Sequence, residues 1–456
     1  MLIIVQNLPV PFDRRVWLEC QALVVRGYRV SVICPRGPGD PSFRRLDGVE
    51  IHTYRPAPEA DGLAGFAWEF AYSWLRTALL SLDVRRRRRF DVLQACNPPD
   101  TYWLLARLWR ASGVAFVFDH HDLNPELFRS RFGEPASWDR RLEHRALLWL
   151  ERRSFRAADH IISTNASYKA IAMSRGGRRD AEVTVVRSGP DTDAMRPIYP
   201  DSPRPQNEIS LVYVGIMGPQ DGVDQILLVM DELVHHRGRS EVTATLLGFG
   251  SCLDSLRARS HDLGLAAHVF FTGRVDRAQL AEHLSRADIG LCPDLKTPLN
   301  DVSTMNKTME YMAYALPTVA FDLVETRVTG GDTVLYAPSG DIEAFSDLVE
   351  ALIDDPMRRA DLGLAARDRV RDVLDWRPQA EAYVGVFDGL TGHGRTGPAV
   401  PERSGTALVD AQGRRFVDLS DPEALRRFTI ARAQPAAQPS SAVPNRGIGE
   451  LWEIQP

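Results

Sequence analysis

The feature that most constrains this chain is an alternation of short apolar runs and helical stretches that proceeds, stops at a cluster of prolines and starts again. Residues 2–5 read as a buried strand, 13–26 as a helix with an apolar stripe, and 29–33, after Gly27, as the next strand. Apolar runs follow at 92–95, 114–118, 160–163 and 183–186, separated by helical stretches such as 101–111 and 140–156. Strand and helix taking turns implies a parallel sheet covered on both faces. The pattern stops over 196–208 at Pro197, Pro200, Pro203 and Pro205, whose fixed φ and missing N–H suit an extended linker. It resumes with strands expected at 210–214, 242–247, 269–272, 289–292 and 318–321, and with a helix from about 304 to 315. The chain thus divides into α/β domains at 1–195 and 209–375, a closing helix at 376–390 and a tail at 391–456. Periodicity fades in the tail and Gly and Pro become frequent, so it is expected to be poorly ordered or loosely docked.

Composition removes several alternatives. The chain has 456 residues, more than one hydrophobic core usually fills. With 44% apolar and 25% charged residues and no long uncharged apolar run, it is neither a disordered chain nor a multi-span membrane protein. Residues 1–200 hold 30 Lys and Arg against 23 Asp and Glu, whereas the remainder holds 25 against 37. A basic first half suits an anionic partner such as a membrane surface or phosphorylated lipid, or is ordinary solvated surface. No motif interleaves the basic residues as a nucleic-acid site would, so no nucleic-acid partner is expected. The five cysteines, Cys20, Cys34, Cys96, Cys252 and Cys292, form no CxxC pair or zinc pattern, which fits a reducing compartment. The opening Met-Leu-Ile-Ile-Val-Gln turns polar too early for a signal peptide, and a cytoplasmic location is expected.

In open parallel sheets, ligands bind beyond the carboxyl ends of the strands. After the run ending near Cys292 comes Asn300-Asp301-Val302-Ser303-Thr304-Met305-Asn306-Lys307-Thr308-Met309-Glu310, a polar loop that becomes a helix. Ser303 or Thr304 suits the N-cap, and the backbone N–H groups of the first turn would face an anion such as a diphosphate. Asn306, Lys307 and Glu310 share one helical face, Lys307 suited to phosphate and Glu310 to sugar hydroxyls. The same spacing also fits a capped helix with an ordinary i,i+3 ion pair. Near the N-terminus, Arg14 and Arg15 open the first helix, where one of them could reach a phosphate across the cleft or simply lie at the surface.

Several segments in the same order resemble the retaining glycosyltransferases of family 4, the glycosyl transferases group 1, over roughly residues 1–390. Glu310-Tyr-Met-Ala-Tyr-Ala-Leu-Pro-Thr-Val-Ala is similar to that family's E-A-M-A-x-G-x-P-V-V-A, whose glutamate binds the donor ribose. Val183-Thr-Val-Val-Arg-Ser-Gly-Pro-Asp191 resembles V-I-x-N-G-V-D, and Tyr213-Val-Gly-Ile-Met-Gly218 resembles the Y-V-G-R-L strand and loop, which brings in Gly215 and Gly218. His121 and Asp122, in Val117-Phe-Asp-His-His-Asp-Leu-Asn-Pro-Glu126, match the family's H-D loop facing the transferred sugar. As plain residues these two could equally make structural hydrogen bonds, and adjacent side chains in extended backbone rarely meet one metal ion.

The resemblance implies the GT-B fold, two facing Rossmann-like domains with a cleft between them. It also implies transfer of a sugar from a UDP- or GDP-sugar with retention, without a metal or other cofactor. Two departures stand out. The first carboxylate of the family's E-x7-E pair falls on Val302, leaving Asp301 as a displaced substitute, and Met217 and Asp221 stand near the places of its diphosphate-binding Arg and Lys. Lys307 is therefore expected to supply the missing positive charge. GxSxG, Walker A and GxGxxG patterns are absent at the positions that would matter, which argues against acyl transfer, ATP use and NAD(P). A nucleotide-sugar epimerase of the same fold and a non-catalytic sugar-nucleotide binding or scaffold subunit remain as alternatives.

Residues 62–84, rich in aromatic residues, lead into five arginines at 85–89. A transmembrane helix would bury charges at about 2.5–3.5 kcal/mol each, so a membrane-surface helix with a basic end, or a core helix followed by a solvated turn, is expected instead. The preferred setting is surface polysaccharide or glycoconjugate synthesis on a glycan or lipid-linked acceptor, with the protein peripheral on the cytoplasmic face of the membrane.

Overall fold

A computed structural model describes residues 1–57, 62–201, 208–392, 397–400, 408–409 and 413–434, with 62–67 described for their backbone only. Pro203 and Pro205 of the expected linker and residues 435–456 of the tail lie outside the described residues. The strands are β1 (Leu2–Ile4), β2 (Ser31–Pro35), β3 (Phe43–Leu46), β4 (Val49–Tyr54), β5 (Val92–Cys96), β6 (Ala115–His120), β7 (His160–Ser163) and β8 (Val183–Val185) in the first domain. The second domain contains β9 (Ile209–Ile216), β10 (Val242–Phe249), β11 (Val269–Gly273), β12 (Ile289–Cys292), β13 (Thr318–Phe321) and β14 (Val334–Ala337). They form two sheets, ordered β3-β4-β2-β1-β5-β6-β7-β8 and β11-β10-β9-β12-β13-β14. Every pairing is parallel except β3 with β4.

Alternation along β1 sends Ile3 and Val5 into the core on one face of the first sheet and Leu2 and Ile4 into the core on the other, as a strand covered on both sides requires. The chain order reverses at β1, which lies between β2 and β5, and at β9, which lies between β10 and β12. Each reversal opens a crevice at the carboxyl ends of its strands.

The last long helix, Trp376–Thr391, returns to the first domain and buries Trp376, Ala380, Tyr383 and Phe387 against Val16, Cys20 and Leu23. Of the tail beyond it, residues 413–434 are docked on the second domain. Phe416 bridges Ile198 in antiparallel fashion, Val417 N donates to Pro197 O at 2.9 Å, and helix Pro422–Ala433 packs on helix Pro356–Arg369. In its apolar patch, Phe416 is half-buried against Ile198 of the interdomain crossover, and Val417 is buried against Ala424 and Phe428 of the tail helix.

Helix Gly62–Arg87 is oriented against simple patterning. Ser73, Thr77, Ser81 and Val84 face inward, where Ser81 Oγ accepts from Trp109 Nε1 at 3.2 Å and Thr77 Oγ1 lies 3.3 Å from the Tyr102 hydroxyl. Trp68, Leu75, Leu79 and Leu82 face outward and are 59%, 54%, 51% and 43% exposed. Among the described residues no helix is long and apolar enough to cross a membrane.

Candidate active site

A cavity of about 1030 Å³ lies between the domains, lined by Phe12, Arg14, Arg15 and Ser188 on one side and by Gly215, Phe249, Arg274, Thr304, Asn306, Lys307 and Glu310 on the other. Its second-domain wall is bare backbone near β9 and β10. A Cβ on Gly248 would stand 1.8 Å from Gly215 O, so this close approach of two strand ends requires glycine. Gly218 lies away from the lining, its N–H donating to Asp221 Oδ2 at 2.9 Å.

The loop-to-helix segment forms, with two corrections. The helix is Asn306–Ala313, and its N-cap position is held by Met305, with no side-chain cap. Ser303 and Thr304 do not cap it: Ser303 Oγ donates to Leu299 O at 2.7 Å, and first-domain side chains meet both hydroxyls. Ser303 Oγ lies 3.0 Å from the Tyr168 hydroxyl, and Asn165 Nδ2 donates to Thr304 Oγ1 at 3.0 Å. Of the first-turn N–H groups, that of Thr308 goes to Met305 O at 3.1 Å, which leaves those of Asn306 and Lys307, beside the cavity, to a ligand or water. Asp301 is outside the cavity lining and accepts from Val324 N at 2.9 Å, at the start of helix Val324–Gly330.

Lys307 and Glu310 pair with others rather than with each other. Lys307 Nζ donates to both oxygens of Asp294, at 2.7 and 2.8 Å, under the Tyr213 ring. Burial alone would lower the lysine's pKa, but Asp294, with smaller contributions from Tyr213, Cys292 and Asp221, raises it. Lys307 is thus charged but already neutralised, which corrects the expectation that it alone supplies the missing positive charge. Glu310 Oε1 accepts from Arg14 Nη1 at 2.6 Å across the domain boundary.

Arg15 is also committed. Its guanidinium reaches Asp119 at 3.2 Å, Glu19 at 3.0 Å, Val186 O at 2.8 Å and Ser188 Oγ at 3.0 Å, so it serves as an internal counter-ion rather than a mobile phosphate ligand. His121 Nε2 stands 2.9 Å from Asp119 Oδ2 and 3.0 Å from Arg15 Nε. Burial opposes the charged ring, yet the Asp119 carboxylate overrides it and lifts the His121 pKa above the ordinary value. His120 points the other way, buried among Phe118, Phe155 and Tyr168, and burial followed by repulsion from His121 pushes its pKa down to about 3. Asp122 is pushed up by burial, and Asn97 ties its backbone down on both sides. Neither His121 nor Asp122 is among the residues lining the cavity. Ligand atoms of Glu19, Cys96, Asp119 and His121 lie within 4.8 Å of one another, and the Arg15 guanidinium sits against three of the four residues.

Sequence reasoning missed Arg274 and Asp294. Arg274 lies between the rings of Phe12 and Phe249, at 4.4 and 4.2 Å from their centroids, and among the described residues no carboxylate pairs with it. It follows the carboxyl end of β11, and Asp294 lies two residues beyond β12, so the rule that pointed to 300–310 would have found both.

A cavity at the carboxyl ends of two facing, mainly parallel sheets, with an open helix N-terminus on one wall, is the architecture of the GT-B fold. Residues 13–189 match the model of the glycosyl transferase 4-like domain and residues 208–355 that of glycosyl transferases group 1, so the chain belongs to the family 4 type of GT-B glycosyltransferases. It is 27% identical to glycogen synthase of Mycobacterium tuberculosis over 387 residues, 80% of this chain and 88% of that protein. It is 25% identical to D-inositol 3-phosphate glycosyltransferase of Kineococcus radiotolerans, over 80% of this chain and 87% of that one. Among solved structures, sucrose-phosphate synthase of Thermosynechococcus elongatus superposes with a TM-score of 0.70 at 16% identity, covering 86% of this chain and 99% of that one. Anabaena HepE in complex with UDP-glucose gives 0.62 at 14%, covering 85% and 99%. These structures share the fold.

Proposed function

We propose that this glycosyltransferase takes a UDP- or GDP-sugar, its diphosphate at the N-terminus of helix Asn306–Ala313 and its ribose at Glu310, and transfers the sugar with retention to a glycan or lipid-linked acceptor. The observation that carries this reading is the Arg14–Glu310 pair at the mouth of an uncapped helix. A ribose that engages Glu310 takes the carboxylate from Arg14, and the freed guanidinium is then within reach of the diphosphate beside it. Arg14 and the helix terminus would together stabilise the leaving group, whose own oxygen takes the acceptor proton as the sugar becomes oxocarbenium-like. The relatives include GDP-mannose-dependent and inositol-phosphate enzymes, and HepE was solved with UDP-glucose, which supports a nucleotide-sugar donor without selecting the base. Arg274, with a flat cationic face between two rings, suits the nucleotide end of the donor.

Catalysis is proposed to need no metal, since Arg15 already balances the buried carboxylates of the first domain. His121, 3.0 Å from the Arg15 that lines the cavity, is proposed with Asp122 to act on the transferred sugar, as the family resemblance implies. The outward apolar stripe on Gly62–Arg87 and the arginines at its end favour docking on an anionic membrane surface, in surface polysaccharide or glycoconjugate synthesis on the cytoplasmic side. Thermal stabilisation by UDP against GDP identifies the donor class. A nucleotide-sugar panel with a lipid-linked acceptor then tests transfer, and isomerised donor, or binding without turnover, would overturn the reading.

A further inference from the structure

The donor helix is held at its far end by three successive carbonyls, each taken by an arginine. Arg367 Nη1 donates to Ala313 O at 2.7 Å and its other nitrogen to Thr192 O at 2.6 Å, joining the helix end to the crossover between the domains. Arg432, in the last turn of tail helix Pro422–Ala433, donates through Nη1 to Tyr314 O at 3.0 Å and through Nη2 to Ala315 O. Those carbonyls have no partner within the helix, and a cation there opposes the negative end of its dipole. Ala315 needs the support, because its φ of 52 is one that residues with a side chain rarely adopt.

The tail is itself anchored. Arg359 Nη2 donates to Ala433 O at 2.5 Å, the Arg432 guanidinium lies 5.4 Å from the Phe428 ring centroid, and Val417 is fully buried beside the crossover. A Cβ on Gly363 would stand 2.1 Å from Ala315 O, so helix Pro356–Arg369 presses on the same turn from the side.

We propose that the C-terminal strap 413–434 is a positioning element of the donor site, and that Arg432 is the residue through which it acts on helix Asn306–Ala313. This rests on the reading of that helix as the donor helix. Its eight residues place Glu310 one turn from the clamped end. Freedom at Tyr314 and Ala315 therefore passes directly to the carboxylate and to the first-turn N–H groups.

The test compares wild type with Arg432→Ala, Arg432→Lys and Glu310→Ala, and with Arg427→Ala, which breaks only the exposed pair with Asp421 on the same tail helix. Amide hydrogen exchange over 306–316, UDP and GDP affinity and Tm are measured on each. Arg432→Ala is expected to speed exchange over 306–316 and to weaken the bound nucleotide about five-fold, with Arg432→Lys recovering part of both and Arg427→Ala matching wild type. Unchanged exchange in Arg432→Ala, or a fall in Tm with nucleotide affinity intact, would overturn the proposal. If wild type binds neither nucleotide, or Glu310→Ala binds as well as wild type, the donor-helix reading fails and with it any role in donor binding. Exchange over 306–316 still decides whether Arg432 holds the helix.

Discussion

At the scale of single residues, the charges of this site are arranged in pairs, so removing one member is costlier than its own contacts suggest. Lys307 and Asp294 are both buried. Lys307→Ala is expected to destabilise the protein by about 3–5 kcal/mol, because an uncompensated carboxylate remains inside, whereas Lys307→Ala with Asp294→Ala should recover much of that. Urea unfolding of the three variants checks this, and equal losses in the single and double variants would contradict it. The buried group around Arg15 has a pH signature. Burial, then Asp119, pushes the Glu19 pKa up to about 8, and His121 is raised as described. Both folded values exceed the ordinary 4.5 and 6.5, so the stability they contribute is complete on the acid side and lost as pH rises towards 8. Asp119 has the opposite sign. Burial would raise it, but His121 and Arg15 hold it below 3.8, and its contribution is lost in acid. Tm is expected to decline from about pH 5 to about pH 8, with a shallower slope in Glu19→Gln.

At the scale of elements, the donor helix ends in a residue that does not favour its own backbone. Ala315 occupies the place of the glycine in the family segment and keeps a left-handed conformation. Ala315→Gly is expected to stabilise the protein by about 1 kcal/mol, seen as a higher Tm, and an unchanged or lower Tm would contradict this. The helix Gly62–Arg87 carries Trp68, Leu75, Leu79 and Leu82 outward and Ser73, Thr77 and Ser81 inward, with Trp74 and Leu80 packed against the core beside them. Leu75→Glu with Leu79→Glu should leave Tm within about a degree of wild type, since both side chains face solvent, yet reduce co-sedimentation with anionic liposomes. Loss of stability in that variant would mean the stripe is packed after all. Periodicity revealed that a helix forms there, but not which face is buried, because aromatic residues occur around its circumference. The hairpin β3–β4 escaped sequence reading for a related reason, since Phe43-Arg-Arg-Leu46 has almost no buried face to leave a pattern.

At the scale of the whole molecule, the domains are linked through contacts that only their docking creates. Ser167 Oγ donates to Glu325 at 2.6 Å, Asn165 reaches Val302 O and Thr304, and Arg14 crosses to Glu310. If donor binding exchanges the partner of Glu310, Arg14→Ala should have opposite effects on two ligands. UDP or GDP should bind about ten-fold more weakly for want of the cation, whereas the nucleoside without phosphates should bind at least as well, its carboxylate partner now being free. Calorimetric titration of both ligands checks this, and parallel losses would show that Arg14 acts only through structure.

The strand-and-helix alternation and the loop-to-helix form of the 300–310 segment were legible in the chain because they depend on local periodicity. Of that segment, Asn306, Lys307 and Glu310 do reach the cavity. What tertiary structure decided was each residue's partner. Lys307 is neutralised by Asp294, thirteen residues away, Glu310 is held by Arg14, nearly three hundred residues away, and the hydroxyls of Ser303 and Thr304 meet Tyr168 and Asn165. Residues 416–417 followed the same rule, their backbone pairing with the crossover at 197–198. Hydrogen bonds and ion pairs depend on distance in space. A single sequence carries the periodicity of its elements but not the docking that brings their side chains together.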